Sequence, residues 1–212
     1  MRKKILAALL VSAMAVGVLT ACGSTAANDS KDAAATEETV AANVTTEDAA
    51  AGDAGFVENE IFSDQELDFI NLSAVWFQSV PMENETTSYK AEDADIHIEA
   101  DISALENDLG YPVGDWVPYL TVDYKIADHA SGKEVVSGTF MEMAASDGPH
   151  YGNNIKLDPG TYDLTITVHS PGENGYLIHS DSETGPGGAL KDHFKEGTLS
   201  YTFEGWEFAG LE

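Results

Sequence analysis

The stretch Thr161-Tyr162-Asp163-Leu164-Thr165-Ile166-Thr167-Val168-His169 decides the fold. Tyr162, Leu164, Ile166 and Val168 alternate with polar residues, a period of two that sends the apolar side chains to one side of an extended strand. The same alternation recurs at Ile70, Leu72, Ala74 and Trp76, and at Ile96, Ile98, Ala100 and Ile102. It returns at Leu120, Val122, Tyr124 and Ile126, and late at Leu199, Tyr201 and Phe203. Residues 135–144 and 176–180 read as further strands, and only 103–109 reads as a short helix. Turn signals separate the runs: Ser131-Gly132-Lys133, Asp147-Gly148-Pro149, Asp158-Pro159-Gly160 and Pro171-Gly172-Glu173-Asn174-Gly175. This pattern predicts an all-β, immunoglobulin-like antiparallel β-sandwich over residues 56–212, the size of a single domain.

The N-terminus has a different logic. Arg2, Lys3 and Lys4 precede an apolar run from Ile5 to about Leu19, which ends in Leu19-Thr20-Ala21-Cys22-Gly23. A basic start, an apolar centre and a small-residue end predict a signal peptide over 1–21, so the mature chain is expected outside the cytoplasm. The alternative, a permanent transmembrane helix, is disfavoured by the short run and the lack of a charged flank after it. The Leu-x-Ala-Cys-Gly ending resembles the lipobox of bacterial lipoproteins, which implies lipidation of Cys22 and a membrane anchor. Cys22 is the only cysteine, so the domain has neither a disulfide nor a thiolate ligand. Residues 22–55 hold no aromatic residue or proline, and only Val40 and Val44 as larger apolar groups. Such a segment buries too little to offset its ordering entropy, and it reads as a flexible acidic tether.

Charge excludes one class of partner. Removing the signal peptide leaves 7 Lys+Arg against 37 Asp+Glu, a net −30. A surface of that sign repels nucleic acid and admits cations.

Three segments carry candidate ligands. In Asp95-Ile96-His97-Ile98-Glu99-Ala100-Asp101-Ile102 the isoleucines take the core face, so His97, Glu99 and Asp101 share the other. Alternate strand residues lie about 7 Å apart, close enough for two side chains to meet at one ion. A solvated strand face gives the same alternation. In Met141-Glu142-Met143-Ala144-Ala145-Ser146-Asp147-Gly148-Pro149-His150-Tyr151-Gly152, Met141 and Met143 share a face, and Gly148, Pro149 and Gly152 suggest that His150 sits in a stiff loop. Core filling is the usual role of methionine, and a turn-stabilising role would also account for His150. His179 opens the acidic loop His179-Ser180-Asp181-Ser182-Glu183-Thr184-Gly185, which a solvated loop would also explain.

Taken together, these segments resemble the periplasmic iron(II)/copper-binding proteins of the P19 type, related to the treponemal 34-kDa lipoprotein antigen. The resemblance is carried by Ala94-Asp95-Ile96-His97-Ile98-Glu99-Ala100-Asp101-Ile102, Gly114-Asp115-Trp116-Val117-Pro118-Tyr119-Leu120, Asp147-Gly148-Pro149-His150-Tyr151-Gly152-Asn153-Asn154-Ile155-Lys156-Leu157, Pro159-Gly160-Thr161-Tyr162, and His179 with Glu183-Thr184-Gly185. It runs from about Ile70 to Phe208. It implies an immunoglobulin-like sandwich and one site per subunit for Fe(II) or Cu(II)/Cu(I). The implied ligands are His97, Glu99, Met143, His150 and His179, with Asp147 in the outer shell. It also implies a homodimer with the site near the interface, where His179 ligates either within its own chain or across to the partner subunit, and a membrane permease or ferroxidase to receive the iron. The sequence departs from the family pattern in a shorter segment before His179 and in Pro186-Gly187-Gly188-Ala189-Leu190-Lys191-Asp192-His193. His129, His169 and His193 are expected to be surface or packing residues.

Two other classes compete. A metal-free adhesin or ligand-binding module fits a tethered β-sandwich equally well. An enzyme fits less well: no Gly-x-Ser-x-Gly, P-loop or HExxH sequence occurs, and the histidines are too dispersed for a dismutase of the copper/zinc type.

Overall fold

The computed structural model of the protein describes residues 57–83 and 89–211; the signal peptide, Cys22 and the tether expected from the sequence lie outside the described residues. The strands are β1 (Asn59–Leu67), β2 (Ile70–Gln78), β3 (Ile96–Ala104), β4 (Thr121–Asp128), β5 (Glu134–Thr139), β6 (Met141–Ala144), β7 (Pro149–Ile155), β8 (Gly160–His169) and β9 (Thr198–Phe208). They form two antiparallel sheets, one ordered β1-β2-β3-β7-β6 and the other β5-β4-β8-β9. A single-turn helix, α1 (Leu190–His193), precedes β9.

The core follows the alternation. Tyr162, Leu164, Ile166 and Val168 of β8 and Val122, Tyr124 and Ile126 of β4 line one inner face. Leu72 and Ala74 of β2, Ile96, Ile98, Ala100 and Ile102 of β3, and Tyr151 and Ile155 of β7 line the other. Burying each large aliphatic side chain contributes about 1.5–3 kcal/mol. Edge contacts close the sandwich: Phe62 lies 4.9 Å from Tyr201, and Trp76 meets Phe208 edge-on at 4.9 Å.

Residues 135–144, expected as one strand, are two. The chain leaves β5 in one sheet and enters β6 in the other, and Phe140 is the crossing point. Its ring is buried and stacks on Tyr124 at 4.6 Å, and its amide donates to the Val122 carbonyl at 2.8 Å. That anchor delivers Met141 and Met143 to the sheet containing β3.

Residues 103–109 are not a helix. Ser103 and Ala104 finish β3, and the Asn107 side chain shapes the loop that follows. Its amide donates to the carbonyls of Leu105 and Tyr111 at 2.7 and 2.9 Å, and its oxygen accepts from the amides of Leu109 and Tyr111. An asparagine that offers the backbone such partners competes with helix. Residues 176–180 join no ladder either, because the 3₁₀ turn Pro171–Asn174 and left-handed Gly175 turn the chain away and Tyr176 stacks on Tyr111 at 5.7 Å. Strand β1 was not foreseen. Its register slips twice and Asp64 has φ 54°, so its alternation is scrambled.

The histidines left unassigned by the sequence pair with carboxylates. His129 contacts Asp163 at 2.6 Å and His169 contacts Asp123 at 2.9 Å. His193 bridges Asp68 in the β1–β2 turn and Asp108, the latter at 2.8 Å. Burial pushes the His193 pKa down, but its hydrogen bonds to Asp68 and Asp108 outweigh this and raise it above the ordinary value. Stability gained from such a group is complete below its unfolded pKa, about 6.5, and is lost as pH rises through the higher folded value. Thermal melts of His193→Gln should therefore show their largest deficit near about pH 5.5, on the order of 0.5–1 kcal/mol given the open Asp partners, and little deficit near about pH 8.5. A deficit that grows with pH would contradict this assignment.

Candidate metal centre

The candidate ligands stand on the outer face of the β1-β2-β3-β7-β6 sheet. In β3, Ile96, Ile98, Ala100 and Ile102 point inward, so His97, Glu99 and Asp101 point outward. Register extends this face across the sheet. His97 pairs with Phe77 of β2 and Asn154 of β7, Glu99 with Val75 and Gly152, and Met143 of β6 with His150. His150, Gly152 and Asn154 alternate along β7 and share the same side. His150 thus sits on a strand, not in the stiff loop expected from its Gly and Pro neighbours.

An outer face is ordinarily exposed, but this part of it is closed to bulk solvent. His97, Glu99 and His150 are 1%, 4% and 4% exposed, so neither imidazole nor the carboxylate is solvated by bulk water. Asp101, by contrast, is exposed. Phe77 covers one side of the His97 ring, with centroids 5.1 Å apart.

The three buried groups converge. Oε1 of Glu99 lies 3.4 Å from Nε2 of His97 and 3.2 Å from Nε2 of His150, and one ligand atom from each residue falls within 4.8 Å of the others. The rings stand nearly perpendicular, at 79°. Although Nε2 of His150 is close to Glu99, the contact lacks hydrogen-bond geometry, and that buried nitrogen has no hydrogen-bond partner among the described residues. An orphaned buried polar atom is costly unless something polar fills the gap. Metal–ligand bonds of about 2.0–2.2 Å place neighbouring ligand atoms roughly 3.0–3.5 Å apart, which matches the two short edges seen here.

Glycine makes the convergence possible. A Cβ on Gly152 would lie 2.6 Å from Nε2 of His97 and 3.2 Å from the Ile98 carbonyl oxygen. Its backbone is not left-handed, so the requirement is for space. Below the ring, Nδ1 of His97 meets Oδ1 of Asn154 at 2.9 Å.

The field around the group is negative. Burial, then the charges of Glu99 and Asp147, raise the Glu58 carboxyl above its ordinary value. Asp101, though partly open to solvent, is crowded by protein; burial, then Glu99, Glu58 and Asp147, push it up to about 7. Burial pulls the His150 pKa below its ordinary value, against the opposing pull of Glu99. His150 is therefore neutral at neutral pH, the form that ligates a metal.

The remaining sequence candidates are placed as follows. Met143 lies beside His150 on the same face. Asp147 is exposed near the rim, where its charge reaches His150. His179 is not in the convergent group within this chain; it lies in an exposed loop, with Nδ1 2.7 Å from the Thr184 hydroxyl. Sequence reasoning gave Gly152 only a loop-forming role and did not assign Asn154, Phe77 or Glu58 to the site. The period-two spacing of His150, Gly152 and Asn154 was the available signal, hidden by reading Pro149 and the glycines as loop formers.

The chain is similar in sequence and fold to known proteins. The Fe2+ transport protein family model matches residues 55–210. A UPF0423 protein of Brucella abortus is 44% identical over 144 residues, covering 66% of this chain and 76% of that protein. The 34 kDa membrane antigen of Treponema pallidum is 42% identical over 144 residues, covering 66% of this chain and 70% of the antigen. Among solved structures, FetP of uropathogenic Escherichia coli strain F11 matches with a TM-score of 0.66 and 38% identity, covering 74% of this chain and 100% of FetP. A copper-bound variant of Campylobacter jejuni P19 matches with a TM-score of 0.66 and 34% identity, again over 74% of this chain and 100% of its own. With a family match spanning nearly the entire β-sandwich, the chain belongs to the Fe2+ transport protein family.

Proposed function

We propose that this protein binds a transition metal ion through His97, Glu99 and His150, with Met143 as a thioether ligand, and carries it as part of iron uptake outside the cytoplasm. The observation that carries the reading is the buried convergence of two imidazole nitrogens on one carboxylate oxygen, with Nε2 of His150 left without a hydrogen-bond partner. A cation relieves that arrangement; an empty apolar cleft would not build it. Copper-bound FetP and P19 relatives support metal as the occupant.

The donor set sets the preference. Imidazole suits iron, copper and zinc, thioether favours copper and above all Cu(I), and the carboxylate adds affinity for harder ions. Cu(II) binds such a set most tightly in vitro whatever the biological ion, by the Irving–Williams order. The family's designation makes Fe(II) the cargo we assign in the cell. In this reading Cys22 carries the lipid anchor, the chain forms a homodimer, and His179 reaches the site from the partner subunit. A membrane permease or ferroxidase then receives the ion, and the protein is a carrier, not an enzyme.

Copper titration separates these ideas. The wild-type chain should take up one Cu(II), and His97→Ala or His150→Ala should weaken uptake by more than about 100-fold, beyond the 10–100-fold typical of outer partners. His169→Ala should leave the curve unchanged, and equal curves for all variants would remove the site. Gly152→Ala should lower affinity by on the order of 10–100-fold because its methyl displaces the His97 ring. It should also cost about 1–3 kcal/mol of stability from overpacking. Unchanged copper affinity in that variant would show that the ring has room to spare. Cys22→Ser should move the protein from the membrane to the soluble fraction, and continued membrane retention would contradict the anchor.

A further inference from the structure

Asn154 lies behind the metal centre, and its hydrogen bonds fix the orientation of its amide. Nδ2 donates to the Val80 carbonyl at 2.8 Å and to the Tyr89 carbonyl at 3.0 Å. A carbonyl only accepts, so the NH₂ end must face those two oxygens. Oδ1 is thereby turned to Nδ1 of His97 at 2.9 Å, and it also takes the Val80 amide at 3.4 Å. Reversing the amide would set its oxygen against two carbonyl oxygens and lose both donations. Asn154 and His97 are each 1% exposed, so water cannot repair the loss.

The protonation of the ring follows. An amide oxygen accepts only, so Nδ1 of His97 must carry the hydrogen. In the neutral ring Nε2 is then bare, and it is Nε2 that faces Glu99 at 3.4 Å and would meet a Cβ at position 152. We infer that Asn154 is a positioning residue of the metal centre: it holds His97 in the Nδ1–H tautomer and fixes Nε2 as the ligating atom, through an amide anchored to the chain at Val80 and Tyr89. The inference deepens the metal reading above and rests on it. Partners of this kind orient ligating histidines and increase their basicity, and removing one typically costs about 10–100-fold in affinity.

The test uses the chain, with ring-nitrogen NMR on metal-free protein at a pH where imidazole is neutral, followed by Cu(II) titration. The wild-type His97 ring should show the Nδ1–H tautomer alone. Asn154→Leu should admit the Nε2–H tautomer and weaken Cu(II) binding about 10–100-fold. Asn154→Asp keeps an acceptor under Nδ1 but loses both donations to the Val80 and Tyr89 carbonyls, so it should melt below wild type while restoring the Nδ1–H tautomer and binding Cu(II) more tightly than Asn154→Leu. An Nε2–H tautomer in the wild type would overturn the inference, with no variant needed. So would an Asn154→Leu protein that keeps both the tautomer and the affinity, or an Asn154→Asp protein that rescues neither. If the tautomers behave as expected but wild type and His97→Ala bind copper equally poorly, the metal reading fails and the tautomer assignment survives.

Discussion

The candidate site depends on a single carboxylate oxygen held between two imidazoles on a part of the sheet face closed to bulk solvent. Burying three polar groups together runs against the hydrophobic economy of a β-sandwich, and an unpaired buried polar atom costs about 1–3 kcal/mol. The fold nevertheless surrounds the group closely. Phe77 lies against one ring, Asn154 sits beneath it, and Gly152 leaves the space that the ring fills. The arrangement makes chemical sense when a cation completes it, and the acidic groups Glu58, Asp101 and Asp147 around it give the local field the matching sign.

Topology makes this meeting possible. β3 and β7 are distant in sequence but hydrogen-bonded in space, which sets Glu99 opposite Gly152 and His97 opposite Asn154. His150 follows two residues before Gly152 on the same face. β6 joins the same sheet because the chain changes sheets at Phe140, and without that crossing Met143 would lie in the β5-β4-β8-β9 sheet. The core therefore does more than stabilise the domain. The ring of Phe140 stacked on Tyr124 sets which sheet the thioethers occupy.

Much of this was legible in the sequence, for identifiable reasons. Strands β2, β3, β4 and β8 alternate because one side faces a core, and β9 does so as far as Phe203, before its register shifts. β1 escaped because two register slips scramble it, and the supposed helix at 103–109 yielded to the side chain of Asn107. His97 and Glu99 could be paired from spacing along one strand. Their burial could not, because alternation says which face a residue takes and nothing about what covers that face. His150 was selected by its motif but given the wrong backbone, since Pro149 and two nearby glycines resemble a loop. Pro149 starts the strand and Gly152 serves as a clearance, roles that become visible only with the neighbouring strand in place. His179 was a candidate through the family resemblance alone, and in this fold it bonds Thr184 and is not among the three convergent groups.

The most direct measurement is anomalous diffraction at the copper edge from crystals of the copper-loaded protein. The account predicts one strong peak per chain, bounded by Nε2 of His97, Nε2 of His150 and the carboxylate of Glu99. A peak elsewhere with those three side chains still in mutual contact, or no ordered copper at all, would contradict it.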